Sequence, residues 1–415
     1  MKLLINLCAH DGIISHYTGV GTIVKRYIKT FQMILEKRGY DYVINLYTPE
    51  YNSNSFGYSA YTHNVHKQMK NVNIFQISNG SNGTVNYGTI SDWKLLSENT
   101  AKAINSLCIS DYDVVLTISN DTPFAGLNEL LDFSDKNYKI WIPHSTGKIH
   151  RVNSAIKDGK DDLQARIEWE NQAVNYINQD DNSYLGGTGR YISMHMINKY
   201  SLKENKLIDI INGEILSQQT IYQETEEMER LFKDIENEDS IIMAFGRAEE
   251  YKNIDAAMFL GNIIGVKPVV IAQSYYKGQP IIKKYEDIAK ATNSKLYVDV
   301  PFDFPFYILN HYNKNMILLI PSKKEIFGLI VNQVRKLNKN NILIVANDIG
   351  GLHEQINDEK DGILVNLENL NESAKKISRN FNTKNIQNFN KMSQRKLQET
   401  YNFEKICTDF LDYFI

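Results

Sequence analysis

The stretch "MILLIPSKKEIFGLIVNQV", Met316 to Val334, contains the pattern that decides the fold. It begins with a continuous apolar run, which is typical of a strand buried on both faces. Four polar residues, Ser322 to Glu325, interrupt the apolar pattern, and a second apolar run follows and closes on the amides Asn332 and Gln333. The stretch therefore predicts a buried strand, a short polar loop carrying a carboxylate, and a helix.

The same alternation of strand and helix patterns extends along the whole chain of 415 residues. Short β-branched runs are separated by amphipathic stretches, which indicates parallel sheets covered by helices on both faces. The predicted strands are "KLLINLCA", "YVINLYT", "DVVLTIS", "KIWIP", "LIDII", "SIIMAFG", "KPVVIAQ", "KLYVDV", "MILLIPS", "NILIVAN" and "GILVN". The predicted fold class is α/β with doubly wound sheets.

The chain is long enough for two domains, and its pattern breaks once. After "IINGE" the strand pattern gives way to a charged stretch, and it restarts at Ser240. We predict two Rossmann-like domains, residues 1–212 and 213–397. Residues Tyr47 to Asn86 lack clear periodicity and are predicted to form a loop-rich insertion of unassigned role. The last segment has an apolar helical stripe that must pack on other residues.

Composition and charge argue against several classes of protein. The formal net charge is −3, with 46 basic and 49 acidic residues, so no global field attracts nucleic acid. The three cysteines, Cys8, Cys108 and Cys407, lie far apart, which suggests a reducing compartment, and a cytoplasmic location is expected. No apolar run approaches the roughly 18 residues of a membrane span, so at most weak peripheral membrane contact is expected.

Two candidate sites follow strands of the first predicted domain, where ligands bind in doubly wound sheets. Gly19 and Gly21 open a helix after the first strand, and either they let the backbone approach a phosphate or they form a structural turn. His144 follows "KIWIP" and is either a core residue or a hydrogen-bonding group that faces a substrate. Lys148, with His150 and Arg151, either binds an anion or lies in a solvated loop.

Two further candidates follow strands of the second predicted domain. Arg247 and Lys252 follow "SIIMAFG" and could clamp a diphosphate, or they could belong to an ordinary surface charge cluster. Glu325 precedes a helix start at which backbone N–H groups could bind phosphate oxygens. A glutamate at this position also favours the helix dipole without any ligand.

Together these motifs resemble the retaining glycosyltransferases of family 4. "GVG" and "IPH" resemble the first glycine loop and the histidine-bearing strand end of that family, and "IING" resembles its "IPNG". "FGRAEEYKN" is similar to "GRLxxxKG", "PSKKEIFGLIVNQV" to "PSxxExFGLxxxEA", and "NDIGGLHEQINDEKDGILV" to "xxGGxxExVxxGxxGxLV". The resemblance implies the GT-B architecture, in which two doubly wound Rossmann-like domains face a central cleft and a C-terminal helix, here residues 398–415, packs back on the first domain.

The resemblance also implies residue roles and a reaction. Arg247 and Lys252 would hold the donor diphosphate, Glu325 the donor sugar, and His144 the sugar near the reacting carbon. The residues implied to contact the donor are Gly19, Gly21, Phe327, Gly328, Leu329 and Gln333. The expected reaction is transfer of a hexose from a nucleotide diphosphate sugar, with UDP-sugars favoured, to an unknown acceptor hydroxyl. It would retain the anomeric configuration and need neither a metal nor a cofactor.

The sequence departs from the family pattern at the expected second carboxylate, which is Gln333 here. An amide accepts a ribose hydroxyl bond without charge assistance, so the departure bears on donor choice. It also leaves open a catalytically degenerate, nucleotide-sugar-binding subunit. A metal-dependent transferase using Asp111 and Asp113, and a nicotinamide-dependent enzyme, are weaker alternatives, because the acidic pair precedes its strand and "GVGT" lacks the third glycine of the dinucleotide fingerprint.

Overall fold

A computed structural model describes residues 1–83, 88–132, 134–150, 163–218 and 224–415. The chain divides into two compact units. The first unit comprises Met1–Ile215 together with Phe403–Ile415, and the second comprises Leu216–Asn402. The boundary at Ile215 lies close to the predicted boundary at residue 212, and the returning segment starts at Phe403 rather than at residue 398.

The first unit is built on a parallel sheet of seven strands in the order β3-β2-β1-β4-β5-β6-β7. The strands are β1 (Lys2–Cys8), β2 (Asp41–Pro49), β3 (Val72–Ile77), β4 (Val114–Asn120), β5 (Asn137–Ile142), β6 (Ser183–Gly187) and β7 (Leu207–Asp209). The order reverses beside β1, which places a topological switch point between β1 and β4. Ligands of doubly wound sheets bind at such points, beyond the carboxyl ends of the strands.

Helices connect these strands, as parallel pairing requires. They are α1 (Gly19–Arg38), α2 (Ala60–Lys67), α3 (Ile90–Asn105), α4 (Leu127–Leu130), α5 (Gly147–His150), α6 (Leu163–Gln179) and α7 (Arg190–Tyr200), and the returning segment forms α16 (Phe403–Asp412).

The predicted loop-rich insertion from Tyr47 to Asn86 was wrong in part. This stretch contains the end of β2, the helix α2 and the strand β3, while its residues 84–86 lie outside the described part of the chain. The sequence concealed both elements because α2 is short and polar and β3 is an edge strand with exposed side chains. The helix is specified by Ser59, whose hydroxyl caps it by accepting a bond of 3.1 Å from the N–H of Thr62.

The apolar stripe of the last segment packs within the first unit. The ring of Phe403 lies 5.2 Å from that of Tyr27, and the ring of Phe410 lies 6.1 Å from that of Phe31, so α16 is anchored on α1. Residues 398–400, predicted to belong to this helix, instead end the preceding helix.

The second unit is built on a parallel sheet of six strands in the order β10-β9-β8-β11-β12-β13. The strands are β8 (Ile241–Arg247), β9 (Lys267–Gln273), β10 (Lys295–Val298), β11 (Met316–Ile320), β12 (Ile342–Asn347) and β13 (Ile363–Val365). The helices are α8 (Glu226–Phe232), α9 (Ala256–Ile264), α10 (Pro280–Ala291), α11 (Phe304–His311), α12 (Leu329–Leu337), α13 (Gly350–Gln355), α14 (Leu370–Asn380) and α15 (Thr383–Thr400).

Successive residues of the central strands belong to different cores, which explains their continuous apolar character. Ile241 and Met243 of β8 pack in one hydrophobic cluster, whereas Ile242 and Ala244 pack in the other. Because side chains alternate across a sheet, both faces of this sheet are covered. The predicted doubly wound α/β class is confirmed in both units. Across the described residues, no helix has the length and apolarity needed to cross a membrane.

Candidate functional site

Three of the predicted site residues meet at the carboxyl edge of the second sheet. Arg247 is the last residue of β8, Lys252 ends the short turn after it, and Glu325 lies between β11 and α12. Because β8 and β11 are neighbours, Lys252 reaches Glu325, and its Nζ lies 3.0 Å from the carboxylate Oε2. Two segments 73 residues apart in sequence therefore supply an ion pair at one strand edge.

The guanidinium of Arg247 is surrounded by partners that sequence analysis did not identify. It donates a hydrogen bond of 2.7 Å to the hydroxyl of Tyr251 and lies 3.3 Å from the carboxylate of Glu249. The ring of Tyr275, which follows β9, lies 5.5 Å from the guanidinium carbon. Burial lowers the pKa of Arg247, but Tyr251, Glu249 and Tyr275 outweigh burial and raise it, so the group stays charged.

The loop that carries Glu325 is shaped by two glycine positions. Gly328 has a φ of +79° and precedes the first residue of α12, so the helix begins immediately after a left-handed turn. Gly351 lies against this loop, and its N–H donates a bond of 3.0 Å to the carbonyl of Glu325. The side chain of Phe327 is buried beside Tyr401, with ring centroids 5.8 Å apart. The N–H of Val331 donates a bond of 3.1 Å to the carbonyl of Gly328, so the N–H groups of Leu329 and Ile330 precede the first bond of the helix and suit an anionic ligand.

Gln333 lies on α12 and is half-buried. Its side chain makes no hydrogen bond with any residue that the structure describes. Its neighbour Asn332 is buried, and the Oδ1 of Asn332 accepts a bond of 3.1 Å from Arg335. Gln333 thus places an unpaired amide on the helix that begins at the candidate phosphate site. Such an amide is suited to bind a hydroxyl or carbonyl of a ligand.

A buried charged network fixes the orientation of α12. Arg335 is 2% exposed and donates bonds to Asp361 (3.1 Å), to the carbonyl of Gln355 (2.8 Å) and to Ser393 (2.9 Å). Burial lowers the pKa of Arg335 and Asp361 opposes that shift. Because every contact is charge-assisted or to a buried polar group, the network supports α12 rather than offering a ligand site.

In the first unit, the glycine loop after β1 is organised by Asp11. This buried carboxylate accepts bonds from the N–H groups of Gly12 and Thr18, each 2.8 Å, and from the hydroxyls of Ser15 and Thr18, 2.8 and 2.7 Å. A Cβ on Gly21 would lie 2.4 Å from Asp11, so Gly21 is needed for this packing. Gly19, by contrast, is exposed at the start of α1 and has the position expected of a ligand-binding glycine.

His144 follows β5 and lies beside the carboxyl end of β4. Its Nε2 is 3.1 Å from the Oδ1 of Asn120, and Asn120 in turn donates to the carbonyl of Cys8 at 3.2 Å. Burial lowers the pKa of His144 to about 4, His10 adds to the shift, and Asp121 opposes it. The imidazole is therefore neutral near pH 7 and acts as a hydrogen-bonding group rather than a cation.

The residues after His144 are held by side chains of α6. Ser145 accepts a bond of 2.7 Å from Arg166, and the N–H of Gly147 donates to both oxygens of Glu170, at 3.1 and 3.0 Å. Arg166 and Glu170 are themselves paired one turn apart on α6, at 2.9 Å. The predicted ligand role of Arg151 and of the His150 side chain falls outside the described residues.

Sequence analysis missed Asp11, Asn120 and Asp121, although a usable signal existed. Asn120 ends β4 and Asp121 follows it directly, in "SNDTP", while Asp11 lies three residues after the end of β1, in "HDG". Asp121 also has a φ of +66°, an unusual conformation for a non-glycine residue. Tyr251 lies four residues after Arg247, but no sequence signal indicates that its hydroxyl accepts from the guanidinium. The roles of Tyr275 and Glu170 depend on contacts between segments more than 20 residues apart.

Folding stability should depend on the neutral state of His144. Burial also lowers the pKa of His16 and of His195 to about 4. Between pH 6.5 and 4 the unfolded chain binds more protons than the folded chain, so the free energy of unfolding should fall as the pH falls through this window. Replacing His144 with Asn should reduce the pH slope by about one proton, measured by urea unfolding at several pH values. An unchanged slope would contradict the buried, neutral state.

The described residues contain no group of three or more His, Cys, Asp and Glu side chains arranged to hold a metal ion. The acidic pair considered as metal ligands, Asp111 and Asp113, precedes β4, and the carboxylate of Asp113 accepts a bond of 2.8 Å from the backbone N–H of Lys2. His66 is buried with its Nδ1 2.8 Å from the carbonyl of Ile13, so it belongs to the packing of α2.

Comparison with known proteins shows similarity at the level of the fold. No protein-family model matches the sequence, and no curated protein matches it significantly. The structure is similar to sucrose-phosphate synthase from Thermosynechococcus elongatus, with a TM-score of 0.74 and 15% identity over 100% of this chain and 98% of that one. It is also similar to HepE from Anabaena in complex with UDP and glucose, with a TM-score of 0.68 and 13% identity over 100% of this chain and 99% of that one.

A third similar structure is WaaG, a glycosyltransferase involved in lipopolysaccharide biosynthesis, with a TM-score of 0.63 and 12% identity over 98% of this chain and 99% of that one. The similar proteins are glycosyltransferases of GT-B architecture. The chain thus has the GT-B fold, with two Rossmann-like domains built on parallel sheets of seven and six strands.

Proposed function

We propose that this chain is a retaining glycosyltransferase that moves a hexose from a nucleotide diphosphate sugar, preferably a UDP-sugar, to an acceptor hydroxyl. The observation that carries the proposal is the meeting of Arg247, Lys252 and Glu325 at one strand edge, in the order and spacing of the family 4 motifs. The chain shares its fold with glycosyltransferases, and one of these structures is a complex with UDP and glucose. The shared fold supports the proposal.

In the proposed donor complex, the diphosphate binds Arg247, Lys252 and the first turn of α12. Both cations have carboxylate partners in the present structure, Glu249 and Glu325 respectively, and a diphosphate would compete with these partners. The release of Glu325 from Lys252 would leave its carboxylate able to accept bonds from sugar hydroxyls. Tyr251 and Tyr275 would keep the guanidinium of Arg247 oriented while its partner changes.

The proposed chemical step is a front-face displacement. The acceptor oxygen forms a bond to the anomeric carbon, the bond from that carbon to the phosphate oxygen breaks, and the acceptor proton passes to the leaving phosphate. The leaving group gains negative charge, which Arg247, Lys252 and the start of α12 would stabilise. Neutral His144 would exchange a hydrogen bond with a hydroxyl of the sugar substrate without adding charge.

The proposal expects no requirement for a metal ion, because two fixed cations neutralise the diphosphate. In excess EDTA, the purified protein should keep at least about half its rate of sugar transfer. Such a decrease in rate is well below tenfold, which corresponds to about 1.4 kcal/mol in the activation barrier. The rate of product formation should be measured before and after chelation, and again after Mg²⁺ or Mn²⁺ is added back. Complete loss with EDTA and recovery with the metal would refute this expectation.

Gln333→Glu tests the departure from the family pattern. A carboxylate at this position should gain a charge-assisted bond to a ribose hydroxyl and tighten nucleotide binding by about 1–2 kcal/mol, roughly 5- to 30-fold. Isothermal titration with UDP measures the change. Gln398→Glu on the exposed face of α15 adds the same charge in the same unit and serves as the control. Equal UDP affinity for Q333E and the wild type would place residue 333 away from the ribose.

A screen for donor hydrolysis over UDP-, GDP- and ADP-sugars tests the proposed activity without knowledge of the acceptor. We expect one UDP-sugar to be hydrolysed fastest, and the anomeric configuration of the released sugar to match the donor when observed by NMR at early times. The unpaired amide of Gln333 favours a second candidate, a catalytically degenerate subunit that binds a nucleotide sugar. Binding of a UDP-sugar without turnover by the purified chain would select that candidate.

A further inference from the structure

A cavity of about 390 Å³ lies in the first unit, a few residues beyond His144. Its lining comes from α5, α6 and α7, and consists of Gly147, Lys148, Leu163, Ile167, His195 and Lys199. None of these residues belongs to the proposed diphosphate site, which lies in the second unit. Among the residues that the structure describes, the lining combines three basic side chains with two aliphatic ones and includes no carboxylate.

In the described part of the chain, the two lysines of this cavity differ from Arg247 and Lys252, which have carboxylate partners within ion-pair distance. Within the described part of the chain, neither Lys148 nor Lys199 forms an ion pair with a carboxylate. The ammonium of Lys148 donates to the carbonyl of Lys199 and lies 3.8 Å from the ring centroid of Tyr200. The direct partners of Lys148 are thus neutral groups, while burial and Lys199 lower the pKa of its ammonium and Glu170 opposes that shift.

The carboxylate of Glu170, which interacts with Lys148 electrostatically, has its hydrogen bonds with other groups. It accepts bonds from Arg166 and Thr122, from the N–H of Gly147, and from the hydroxyl of Tyr200. Glu170 is 0% exposed. Burial, Lys148 and Lys199 lower the pKa of His195 to about 4, which leaves its imidazole neutral, with Nε2 3.1 Å from the hydroxyl of Thr146.

We propose that this cavity binds an anionic group, a phosphate monoester or a carboxylate, carried by the acceptor sugar. Lys148 and Lys199 would supply the charge, and the imidazole of His195 a hydrogen bond. Leu163 and Ile167 would contact the apolar face of the same molecule. The assignment to the acceptor rests on the proposed function, because the cavity follows His144 in the first unit while the donor phosphates are assigned to the second.

The first experiment uses inorganic phosphate as the probe and Lys148→Met/Lys199→Met as the variant. Titration calorimetry at constant ionic strength should show phosphate binding that is at least tenfold weaker in K148M/K199M than in the wild type. Lys29→Met/Lys37→Met removes two exposed charges from α1 and should bind phosphate like the wild type. Phosphate bound at the donor site contributes equally to all three proteins, so the difference reports on this cavity. Equal phosphate binding by the wild type and K148M/K199M overturns the proposal.

A second experiment distinguishes the two anionic groups and includes a fold control. Glucose, glucose 6-phosphate and glucuronate are compared as acceptors with the best donor from the hydrolysis screen. One of the charged acceptors should exceed glucose at least tenfold in kcat/KM, and K148M/K199M should lose that preference while its donor hydrolysis stays unchanged. Unchanged donor hydrolysis also shows that the variant is folded, and the single variant K199M, exposed at its site, should show a partial effect.

The two experiments separate failure of this inference from failure of the proposed function. If donor hydrolysis is present but the acceptor preference and the phosphate difference are both absent, only the anion site is overturned. If no donor is bound or hydrolysed but the phosphate difference persists, the anion site stands and its assignment to a glycosyl acceptor falls.

Discussion

Replacing Arg247 with Ala should lower kcat/KM for sugar transfer by about 10²- to 10³-fold, or roughly 2.7–4 kcal/mol of transition-state stabilisation. The guanidinium lies at the end of β8 and contacts Tyr251 and Tyr275. The side chain of Arg247 is 40% exposed. It is therefore oriented in advance toward a ligand at the strand edge. Since charge on the leaving phosphate grows during bond cleavage, most of the loss should appear in kcat rather than in KM.

The control for this variant is Arg395→Ala. Arg395 forms an exposed ion pair of 2.7 Å with Glu399 on α15, and such surface pairs contribute about 0–1 kcal/mol to stability. R395A should keep wild-type kinetics. Full transfer rate in R247A, with normal folding by circular dichroism, would refute the assignment of Arg247 to the leaving group.

Replacing Gly351 with Ala should destabilise the second unit by about 3 kcal/mol, the upper part of the range for overpacking. An added Cβ would lie 1.8 Å from the carbonyl oxygen of Ile326 and 2.5 Å from its carbonyl carbon, and both of these Ile326 atoms belong to the backbone. Relief of this clash requires the loop from Glu325 to Gly328 to move, which would also break the bond from the Gly351 N–H to Glu325. Nucleotide affinity should fall together with stability, because the same loop begins α12.

Gly265→Ala separates this clash from the ordinary cost of losing a glycine. Gly265 has a φ of +78° with nothing within 4 Å of an added Cβ, so only backbone strain of about 1–2 kcal/mol is expected. Urea unfolding measures both variants, and UDP titration should show wild-type affinity for G265A. If G351A were as stable as the wild type, the close approach of Gly351 to the backbone of Ile326 would be wrong.

Most of the sheet topology was predictable because parallel strands are buried on both faces. Runs such as "MILLI" and "NILIVAN" have no polar alternation, and each became a central strand. Two strands, β3 and β6, were missed for different reasons. β3 lies at a sheet edge and exposes much of its surface. β6 ends in Gly186 and Gly187, because a Cβ on Gly187 would lie 2.2 Å from the hydroxyl of Ser193, and glycine weakens a strand pattern.

The candidate site was predictable only where a residue lies in the segment that follows a recognised strand. That rule located Arg247, Lys252, Glu325 and His144 as candidates. It could not reveal that Lys252 pairs with Glu325, since the pair depends on β8 and β11 being neighbours in a sheet where β9 and β10 intervene in sequence. The motif also does not indicate that Gly21 packs against Asp11, and the donor contact implied for Gly21 stays a prediction.

The central claim is that the carboxyl edge of the second sheet binds a nucleoside diphosphate through Arg247, Lys252 and the start of α12. The most direct measurement is the affinity of the purified protein for UDP and for UMP by titration calorimetry. UDP should bind at least tenfold more tightly than UMP, and Arg247→Ala/Lys252→Ala should abolish the difference while leaving UMP affinity nearly unchanged. Equal affinity of the wild type for UDP and UMP would contradict the account.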